Sequence, residues 1–322
     1  MSKNTFRMMG DGAIDDFPPL PENIRSVQPG GGFCYSVELA WGRLRRWYLR
    51  RFRAGYVRRM LGLRRGDPTG APHEILDPRD LKYCSNQCSA HWLPQDDPFQ
   101  WRERLPVTRW GLAELQLMGW PLLALAVLIG APGPPWCWFA AIPLVLLGLL
   151  TYFFRNPQRE IPADEGAIVS PADGVVAEVT ELEHYDFIDG PAVRIGIFLS
   201  IFNVHINRAP RAGRVLAMHY QPGEFLNALN PESAIRNEFM WIGVEDELRP
   251  GVRLAVRQIS GLIARRIVCA LRPGQTVRRG EIFGMIKLGS RTELILPQGA
   301  VRVEVAVGEK VQAGSTVLAR FR

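Results

Sequence analysis

Cysteine is scarce in this sequence of 322 residues. The five cysteines are scattered, and an odd, scattered count excludes the disulfide framework that holds small secreted domains together. Residues 1–23 are polar and rich in proline, and they lack the apolar run that a secretory signal needs. We therefore expect a protein of a reducing compartment, without a signal peptide.

Acidic residues are absent from one long basic stretch. Ten arginines and no Asp or Glu lie between Leu39 and Gly66, whereas the formal charge of the whole chain is only +7. Apolar residues recur there at every third or fourth position, namely Trp41, Leu44, Tyr48, Phe52, Tyr56 and Met60. This spacing predicts a basic amphipathic helix over residues 39–66, which could lie in a membrane interface or bind phosphates. The alternative is a solvated helix that caps the domain. No nucleic-acid-binding motif accompanies the arginines, so we do not expect a nucleic-acid partner.

Charged residues are missing from Leu115 to Phe154, a window of forty positions. The central segment Ala131–Pro135 must break a helix, which leaves two passes of about twenty residues, enough to cross a bilayer core. Tryptophan and tyrosine near the segment ends favour a membrane over the interior of a soluble protein, and arginines on both flanks put both ends in the cytoplasm. The sequence therefore predicts a helical membrane hairpin over residues 112–155.

The remaining segments differ in composition. Residues 1–38 are predicted to be a disordered leader, since they are polar and end in a glycine run. Residues 67–111 are predicted to be a linker region rich in proline and tryptophan. Residues 156–322 consist of short β-like runs separated by glycine and proline, which predicts a β-rich domain.

Three residues of the linker region have spacing that could suit a metal. Cys84, Cys88 and His91 could supply three zinc ligands, but the spacing is not that of a common zinc module and no fourth ligand is evident. Ordinary buried thiols are the alternative. We therefore assign no metal site.

A weak repeat lies near the end of the chain. Gly274-x-x-Val277-x-x-Gly280 returns as Gly308-x-x-Val311-x-x-Gly314. Such turns are typical of the flattened β-sandwich of lipoyl and biotinyl carrier domains. The predicted fold class is therefore α+β, with a β-rich domain that has carrier-like sandwich features, preceded by the helical membrane hairpin.

The dipeptide Gly289-Ser290 lies between two apolar β-like runs, where a plain turn would more often contain Asn-Gly or Asp-Gly. A serine hydroxyl held against the preceding carbonyl can attack it, because glycine has no side chain in the way. The amide becomes an ester, elimination gives dehydroalanine, and hydrolysis leaves a pyruvoyl group. An ordinary Gly-Ser turn is the alternative.

Several other motifs accompany this dipeptide in a fixed order: Tyr152–Pro157 (YFFRNP), Ser170–Gly174 (SPADG), Phe202–Pro210 (FNVHINRAP), Gly223-Glu224-Phe225-x-Asn227-Ala228 and Leu288-Gly289-Ser290. Together they resemble the phosphatidylserine decarboxylase family in its short prokaryotic form. The resemblance covers the chain from about Arg109 to the C-terminus and leaves residues 1–108 unexplained.

The resemblance implies a lyase that decarboxylates phosphatidylserine to phosphatidylethanolamine and CO2. It also implies self-cleavage between Gly289 and Ser290 into a β chain, 1–289, and an α chain, 290–322, with Ser290 becoming the pyruvoyl cofactor. His205 would carry protons, and Asp173 would orient a base or help to activate the serine. The implied partners are an anionic phospholipid and the cytoplasmic face of the cell (inner) membrane, and a homo-oligomer is left open.

Some positions depart from the family pattern. Arg208 stands where longer members have a second histidine, and Arg291 follows the serine in place of threonine. Glu238, beside Asn237, matches an Asn-Glu-Arg pattern only in part, because Phe239 replaces the arginine. Two assignments are therefore open: His205 serves both self-cleavage and decarboxylation, or Asp173 activates Ser290 through water.

Two other functions are open at this point. The substrate could be a related serine-containing lipid, since nothing in the sequence distinguishes the lipid tails. The protein could also be a non-enzymatic membrane adaptor with a lipoyl-like domain, in which Lys287 would be the modified lysine.

Overall fold

The computed structural model describes residues 18–227, 230, 232–262, 266–287 and 289–322. Residues 1–17 of the predicted leader lie outside this description, as do two residues of the sequence motifs, Ala228 and Leu288.

The described residues form helices mainly in the N-terminal half and strands in the C-terminal half. The α-helices are α1 (Phe33–Phe52), α2 (Ala54–Leu63), α3 (Leu112–Gly130), α4 (Ala141–Phe153) and α5 (Ser233–Arg236). Short 3-10 helices lie at Pro78–Tyr83, Pro94–Asp96, Gln100–Arg104, Arg109–Gly111, Trp136–Trp138 and Gln298–Ala300. This mixture confirms the predicted combination of helices and strands.

The strands are β1 (Ala167–Val169), β2 (Gly174–Tyr185), β3 (Gly190–Leu199), β4 (Ile206–Arg208), β5 (Gly213–Gln221), β6 (Phe239–Asp246), β7 (Arg253–Ser260), β8 (Ile267–Cys269), β9 (Thr276–Val277), β10 (Ile282–Ile286), β11 (Ser290–Pro297), β12 (Val301–Val303), β13 (Lys310–Val311) and β14 (Val317–Phe321). Eight of them form one antiparallel sheet, curled into a half-barrel, in the order β13-β2-β3-β11-β7-β6-β5-β9. Two three-stranded sheets, β1-β14-β12 and β4-β10-β8, complete the described strands.

Strand β11 lies inside the large sheet and begins at Ser290. It pairs with β3 along its whole length and with β7 from Ser290 to Ile295. Ile195, Ile197 and Leu294 from these strands lie in the main apolar core. Burial of this apolar surface holds the start of β11 in a fixed register between two neighbours.

The glycine repeat forms the two edges of the large sheet. Its first copy contains β9, which pairs with β5, and its second contains β13, which pairs with β2. Gly280 and Gly314, the last residues of the two copies, have positive φ angles of 77° and 78°, which favour glycine. Both pack against Ile161, so the two copies meet at one point.

The predicted disorder of residues 1–38 is wrong for its described part. Ile24 and Val27 are buried, and the Val27 carbonyl accepts a hydrogen bond of 2.7 Å from the Cys269 amide. Helix α1 already begins at Phe33. Two isolated apolar residues anchor this segment, and so sparse a pattern gives no periodic signal in the sequence.

The basic stretch forms two helices, which are separated at Arg53. Trp41, Leu44, Tyr48 and Phe52 do share one face of α1, but this face is exposed, while Arg46 and Leu49 are buried. A soluble amphipathic helix would bury its apolar face. Helix α1 therefore presents an apolar stripe to its surroundings.

Residues 67–111 are compact rather than an open linker. Ile75, Cys84, Cys88 and Trp92 pack with Met60 of α2 in a small apolar core of their own. The short 3-10 helices of this segment gave no periodic pattern, since three to six residues are too few to show one.

Helices α3 and α4 are the two apolar helices that the sequence predicts. The segments Arg109–Gly130 and Trp136–Phe153 have mean hydropathies of 1.8 and 1.9, and by length and composition each could cross a membrane. Only 22% and 17% of their apolar windows are buried, so most of their apolar surface faces outward.

Candidate active site

Ser290 is fully buried at the first position of β11, paired with Leu199 on one side and Ser260 on the other. Its hydroxyl oxygen Oγ has no hydrogen-bond partner among the described residues. Gly289 precedes it with a φ of 65°, a left-handed conformation that favours glycine, and the space where a Cβ would lie is open. A buried hydroxyl without a partner is costly, which makes this position a candidate for function rather than for stability.

The imidazole of His205 contacts the residue before this serine. Its Nε2 accepts a hydrogen bond of 3.1 Å from the Gly289 amide, while its Nδ1 lies 2.9 Å from the Asn203 carbonyl oxygen. A carbonyl can only accept, so Nδ1 carries the proton and Nε2 is the free base of a neutral ring. His205 and Gly289-Ser290, singled out separately in the sequence, therefore meet in the fold.

Burial keeps His205 uncharged. It lowers the pKa of the ring to about 4, helped by the positive charge of Arg155 and opposed by the hydrogen bond to Asn203. The ring of Phe153, the last residue of α4, lies 4.5 Å from the imidazole between centroids. Arg155 donates a 2.8 Å hydrogen bond to the carbonyl of Phe202, in the same motif. The end of the second apolar helix is thus part of the wall around His205.

Asp173 makes its hydrogen bonds elsewhere. Its Oδ1 accepts from the Ala313 amide at 2.8 Å, and its Oδ2 from the Arg159 guanidinium at 2.7 Å. Burial raises the pKa of this carboxyl, and both hydrogen bonds oppose that rise. Within the described residues no hydrogen bond joins Asp173 to His205 or Ser290. The Asn203 carbonyl, not an aspartate, fixes the histidine tautomer.

A buried polar network, which the sequence analysis missed, connects the Asp173 turn to β11. The amide nitrogen of Asn207 donates to the Pro171 carbonyl at 3.3 Å and to the Thr292 hydroxyl at 3.2 Å. Gln258 donates to the Asn207 side-chain oxygen at 2.9 Å. The available signal was a polar residue inside each of three apolar strands, which is costly unless such residues pair with one another.

Glu238 lies one strand further away. Its backbone carbonyl accepts hydrogen bonds from the Ser260 amide at 2.9 Å and the Ser260 hydroxyl at 3.1 Å, and Ser260 pairs with Ser290. The buried carboxyl accepts from the Tyr220 hydroxyl at 3.1 Å, and burial raises its pKa. Glu238 therefore neighbours the site through Ser260, without a described hydrogen bond to Ser290.

The two arginines that depart from the family pattern have structural contacts. Arg208 donates to the carbonyls of Gly280 at 3.0 Å and Pro157 at 3.3 Å. Arg291 lies on the opposite face of β11 from Ser290, since side chains alternate along a strand, and it pairs with Glu293 at 2.9 Å and with Glu178.

Lys287 ties the segment before Ser290 to the first apolar helix. Its ammonium is buried and donates to the Glu114 carboxylate at 2.6 Å and to the Trp110 carbonyl at 2.8 Å. Arg266 donates to the same carboxylate oxygen at 3.0 Å. Burial lowers the pKa of Lys287 to about 8, and the charge of Glu114 opposes this.

The two cysteines and the histidine that were considered as zinc ligands do not point toward a common position. Cys84 and Cys88 are buried in the small apolar core, and the His91 ring is exposed, with its Nδ1 2.9 Å from the Ser89 carbonyl. Across the described ranges, no group of three His, Cys, Asp or Glu side chains could hold a metal ion.

The part of the chain that contains this site is similar to known proteins. A family model described as phosphatidylserine decarboxylase matches residues 146–319. A phosphatidylserine decarboxylase proenzyme of Rhodopirellula baltica is 51% identical over 245 residues, which cover 75% of this chain and 99% of the relative. Proenzymes of the same name from Carboxydothermus hydrogenoformans and Magnetococcus marinus are 44% and 38% identical over 203 and 207 residues, covering 63% of this chain and 94% of each relative.

Proposed function

This chain belongs to the phosphatidylserine decarboxylase family, and we propose that it removes the carboxyl group of phosphatidylserine with a pyruvoyl group made from its own Ser290. The resemblance seen in the sequence motifs is thereby confirmed, and the chain is an enzyme. One observation carries the proposal: the neutral His205 Nε2 contacts Gly289 next to a buried serine hydroxyl without a partner.

The proposed self-cleavage proceeds in three steps. Ser290 Oγ attacks the Gly289 carbonyl carbon, the amide C–N bond breaks, and the nitrogen takes up a proton, which leaves an ester. Loss of the Ser290 α-proton then breaks the Cβ–O bond and releases Gly289 as a carboxylate. The remaining dehydroalanine tautomerises, adds water and loses ammonia, which gives the pyruvoyl group. His205 is the base that we assign to the serine proton, because it is the neutral base beside the bond.

Once formed, the pyruvoyl group would supply a carbonyl that condenses with the substrate amine and accepts the electron pair left by CO2. His205 would then take up a proton from water at Nε2 and pass it to the substrate carbon. We infer that Asp173 assists the activation of Ser290, through the Ser170–Gly174 turn or a water molecule. Its support is the raised pKa of a buried carboxyl and the link from that turn, by Asn207, to Thr292.

We further propose that α3 and α4 lie in the membrane, with the active site at their base on the cytoplasmic face of the cell (inner) membrane. The exposed apolar surface of both helices and the contact of Phe153 with His205 support this arrangement. This arrangement would place a phospholipid headgroup at the same level of the membrane as His205. The apolar stripe of α1 would lie in the interface, where its arginines favour anionic lipids.

The adaptor hypothesis gains no support. Lys287, its candidate for modification, is buried and held by Glu114 and Trp110, whereas a modified carrier lysine must be accessible. Kinship of the β-domain with lipoyl and biotinyl carriers stays a prediction, which the two equivalent glycine turns support.

Intact-mass measurement of the purified protein tests the proposal. We expect two chains, 1–289 and 290–322, the smaller one beginning with a pyruvoyl group that reacts with hydroxylamine. Ser290→Ala should give one uncut chain without decarboxylase activity, and Ser315→Ala, a control in a half-buried turn, should cut normally. An uncut wild-type chain with full activity would refute the proposal.

A further inference from the structure

A cavity of about 580 Å³ lies between α1, the 3-10 helix Pro78–Tyr83 and the first two turns of α3, and we name it the α1–α3 cleft. Its volume is in the range of small-molecule sites. It shares no lining residue with the Ser290 site, and all of its lining belongs to residues 37–117, outside the matched family range 146–319.

The cleft carries an excess of positive charge. Six cationic side chains line it, namely Arg45, Arg46, Arg79, Lys82, Arg102 and Arg109. Four carboxylates neutralise them in part: Asp80 pairs with Arg45 and Arg46, Asp77 with Arg79, Glu38 with Lys82, and Glu103 with Arg109. Two positive charges remain in excess, one because Arg45 and Arg46 share Asp80 and one because Arg102 has no carboxylate partner.

One of the two is Arg102. No carboxylate in the described part of the chain lies within ion-pair distance of it, and its guanidinium rests over the rings of Phe99 and Trp101 at 5.0 and 5.6 Å. Burial lowers its pKa, and the nearby charges of Arg79, Arg109 and Arg45 lower it further against the opposing charge of Asp77. An anion in the cleft would relieve this repulsion.

Apolar side chains also line the cleft and continue onto the outer surface of the hairpin. Trp41 of α1 and Leu117 of α3 line it and are exposed, at 63% and 38%. Leu117 lies about 8 Å along the helix from the start of α3. The cationic side chains of the cleft thus lie at the end of the apolar helix α3. Lipid phosphates are found at this level of a membrane.

We propose that the α1–α3 cleft binds the phosphodiester headgroup of an anionic glycerophospholipid, at a site separate from the catalytic one. Arg102 holds the phosphate, and the acyl chains follow the exposed apolar faces of α1 and α3. This inference rests on the proposed membrane location of the hairpin. The bound lipid joins α1 to α3 and is not consumed.

Full-length protein in nonionic detergent micelles provides the test, in the Ser290→Ala background, so that the result does not depend on cleavage or decarboxylation. The probe is phosphatidylglycerol brominated in its acyl chains, which quenches tryptophan fluorescence at close range. Brominated phosphatidylcholine gives the non-specific quenching to be subtracted. We expect a saturable excess for phosphatidylglycerol at one lipid per chain.

Arg102→Gln should raise the half-saturation concentration about five- to tenfold, the effect of one interfacial charge. The half-saturation concentration of Arg102→Lys should lie between those of Arg102→Gln and the unsubstituted protein. Lysine keeps the positive charge but lacks the planar guanidinium that makes two parallel hydrogen bonds to a phosphate. Arg58→Gln, on an exposed position of α2, is the matched control and should change little.

Equal shifts for Arg102→Gln and Arg58→Gln would overturn the proposal, because they would mean general attraction to a basic surface. Displacement of the lipid by millimolar inorganic phosphate would also overturn it, since the cleft would then be a free-anion site. The cleavage experiment on Ser290 can fail without affecting either outcome.

Discussion

The Lys287 ammonium lies 2.6 Å from the Glu114 carboxylate, which joins the segment before the cleavage site to the first turn of α3. Arg266 shares the same oxygen at 3.0 Å, so one buried carboxylate pairs with two cations. Lys287 is three positions before Ser290. The base of the apolar hairpin therefore holds the segment that precedes the proposed cleavage site.

Glu114→Gln should destabilise the protein and slow its self-cleavage. The substitution leaves the buried Lys287 and the partly buried Arg266 without this carboxylate, and loss of one partner of a buried pair costs about 3–5 kcal/mol in other proteins. Unfolding in detergent measures the first effect in the Ser290→Ala background, and the cut fraction on a gel measures the second. Glu103→Gln removes an exposed pair with Arg109 and should cost less than about 1 kcal/mol. Equal effects of the two substitutions would contradict the structural link.

His205→Ala should reduce the rate of self-cleavage about 10²- to 10⁴-fold, the usual contribution of a positioned proton carrier. The substitution removes the Nε2 atom that contacts Gly289. The appearance of the α chain with time after synthesis gives the rate. His219→Ala, at an exposed histidine, should cut normally. If His205→Ala cuts itself at the wild-type rate, His205 takes no part in the cleavage step.

The stability of uncut protein should fall on acidification because of His205. Its pKa is about 4 in the folded protein, below the ordinary value of 6.5, so between these values the unfolded chain binds a proton that the folded protein does not. Stability therefore rises with pH through this window, by about 3 kcal/mol at most. Thermal unfolding of Ser290→Ala from pH 7 to 4 should show this dependence, and adding His205→Asn should flatten it. An unchanged pH dependence would mean that His205 titrates normally.

The sequence was sufficient to predict features whose signal is local. The charge-free window around Pro132 predicted two apolar helices, and the order of motifs around His205 and Ser290 predicted the family. The meeting of His205 with Gly289 could be anticipated only through the resemblance. The two residues are eighty-four positions apart, and no periodicity specifies which loops meet.

Other features depend on contacts that leave no pattern in the sequence. Val27 and Ile24 are buried because they pack against the β-domain. The polar, proline-rich sequence around them gives no sign of this burial. Arg46 faces the protein, and Trp41 faces outward, because Asp80 is buried beneath α1. Helical periodicity gave the two faces of α1 but not which of them would be covered.

Thr292→Val should lower the free energy of unfolding by about 1 kcal/mol, the usual loss for one buried hydrogen bond. Valine keeps the shape of threonine but removes the oxygen that accepts from Asn207, while Asn207 keeps its bond to Pro171. Unfolding of the Ser290→Ala protein in detergent measures the change. Thr276→Val, at an exposed position of β9, should stay within about 0.5 kcal/mol. Equal losses would mean that the buried network adds nothing to stability.

Asp173→Asn distinguishes two roles for this carboxyl. Asparagine can still accept the hydrogen bond from Ala313, but it loses the ion pair with Arg159 and cannot take up a proton. If Asp173 assists the activation of Ser290, self-cleavage should slow at least about tenfold. Arg159→Gln breaks the same ion pair and keeps the carboxyl, so it should slow cleavage less. Gel-resolved cleavage rates of the two variants decide the question. Equal rates would show that Asp173 acts only through its ion pair, by holding the turn that Asn207 connects to β11.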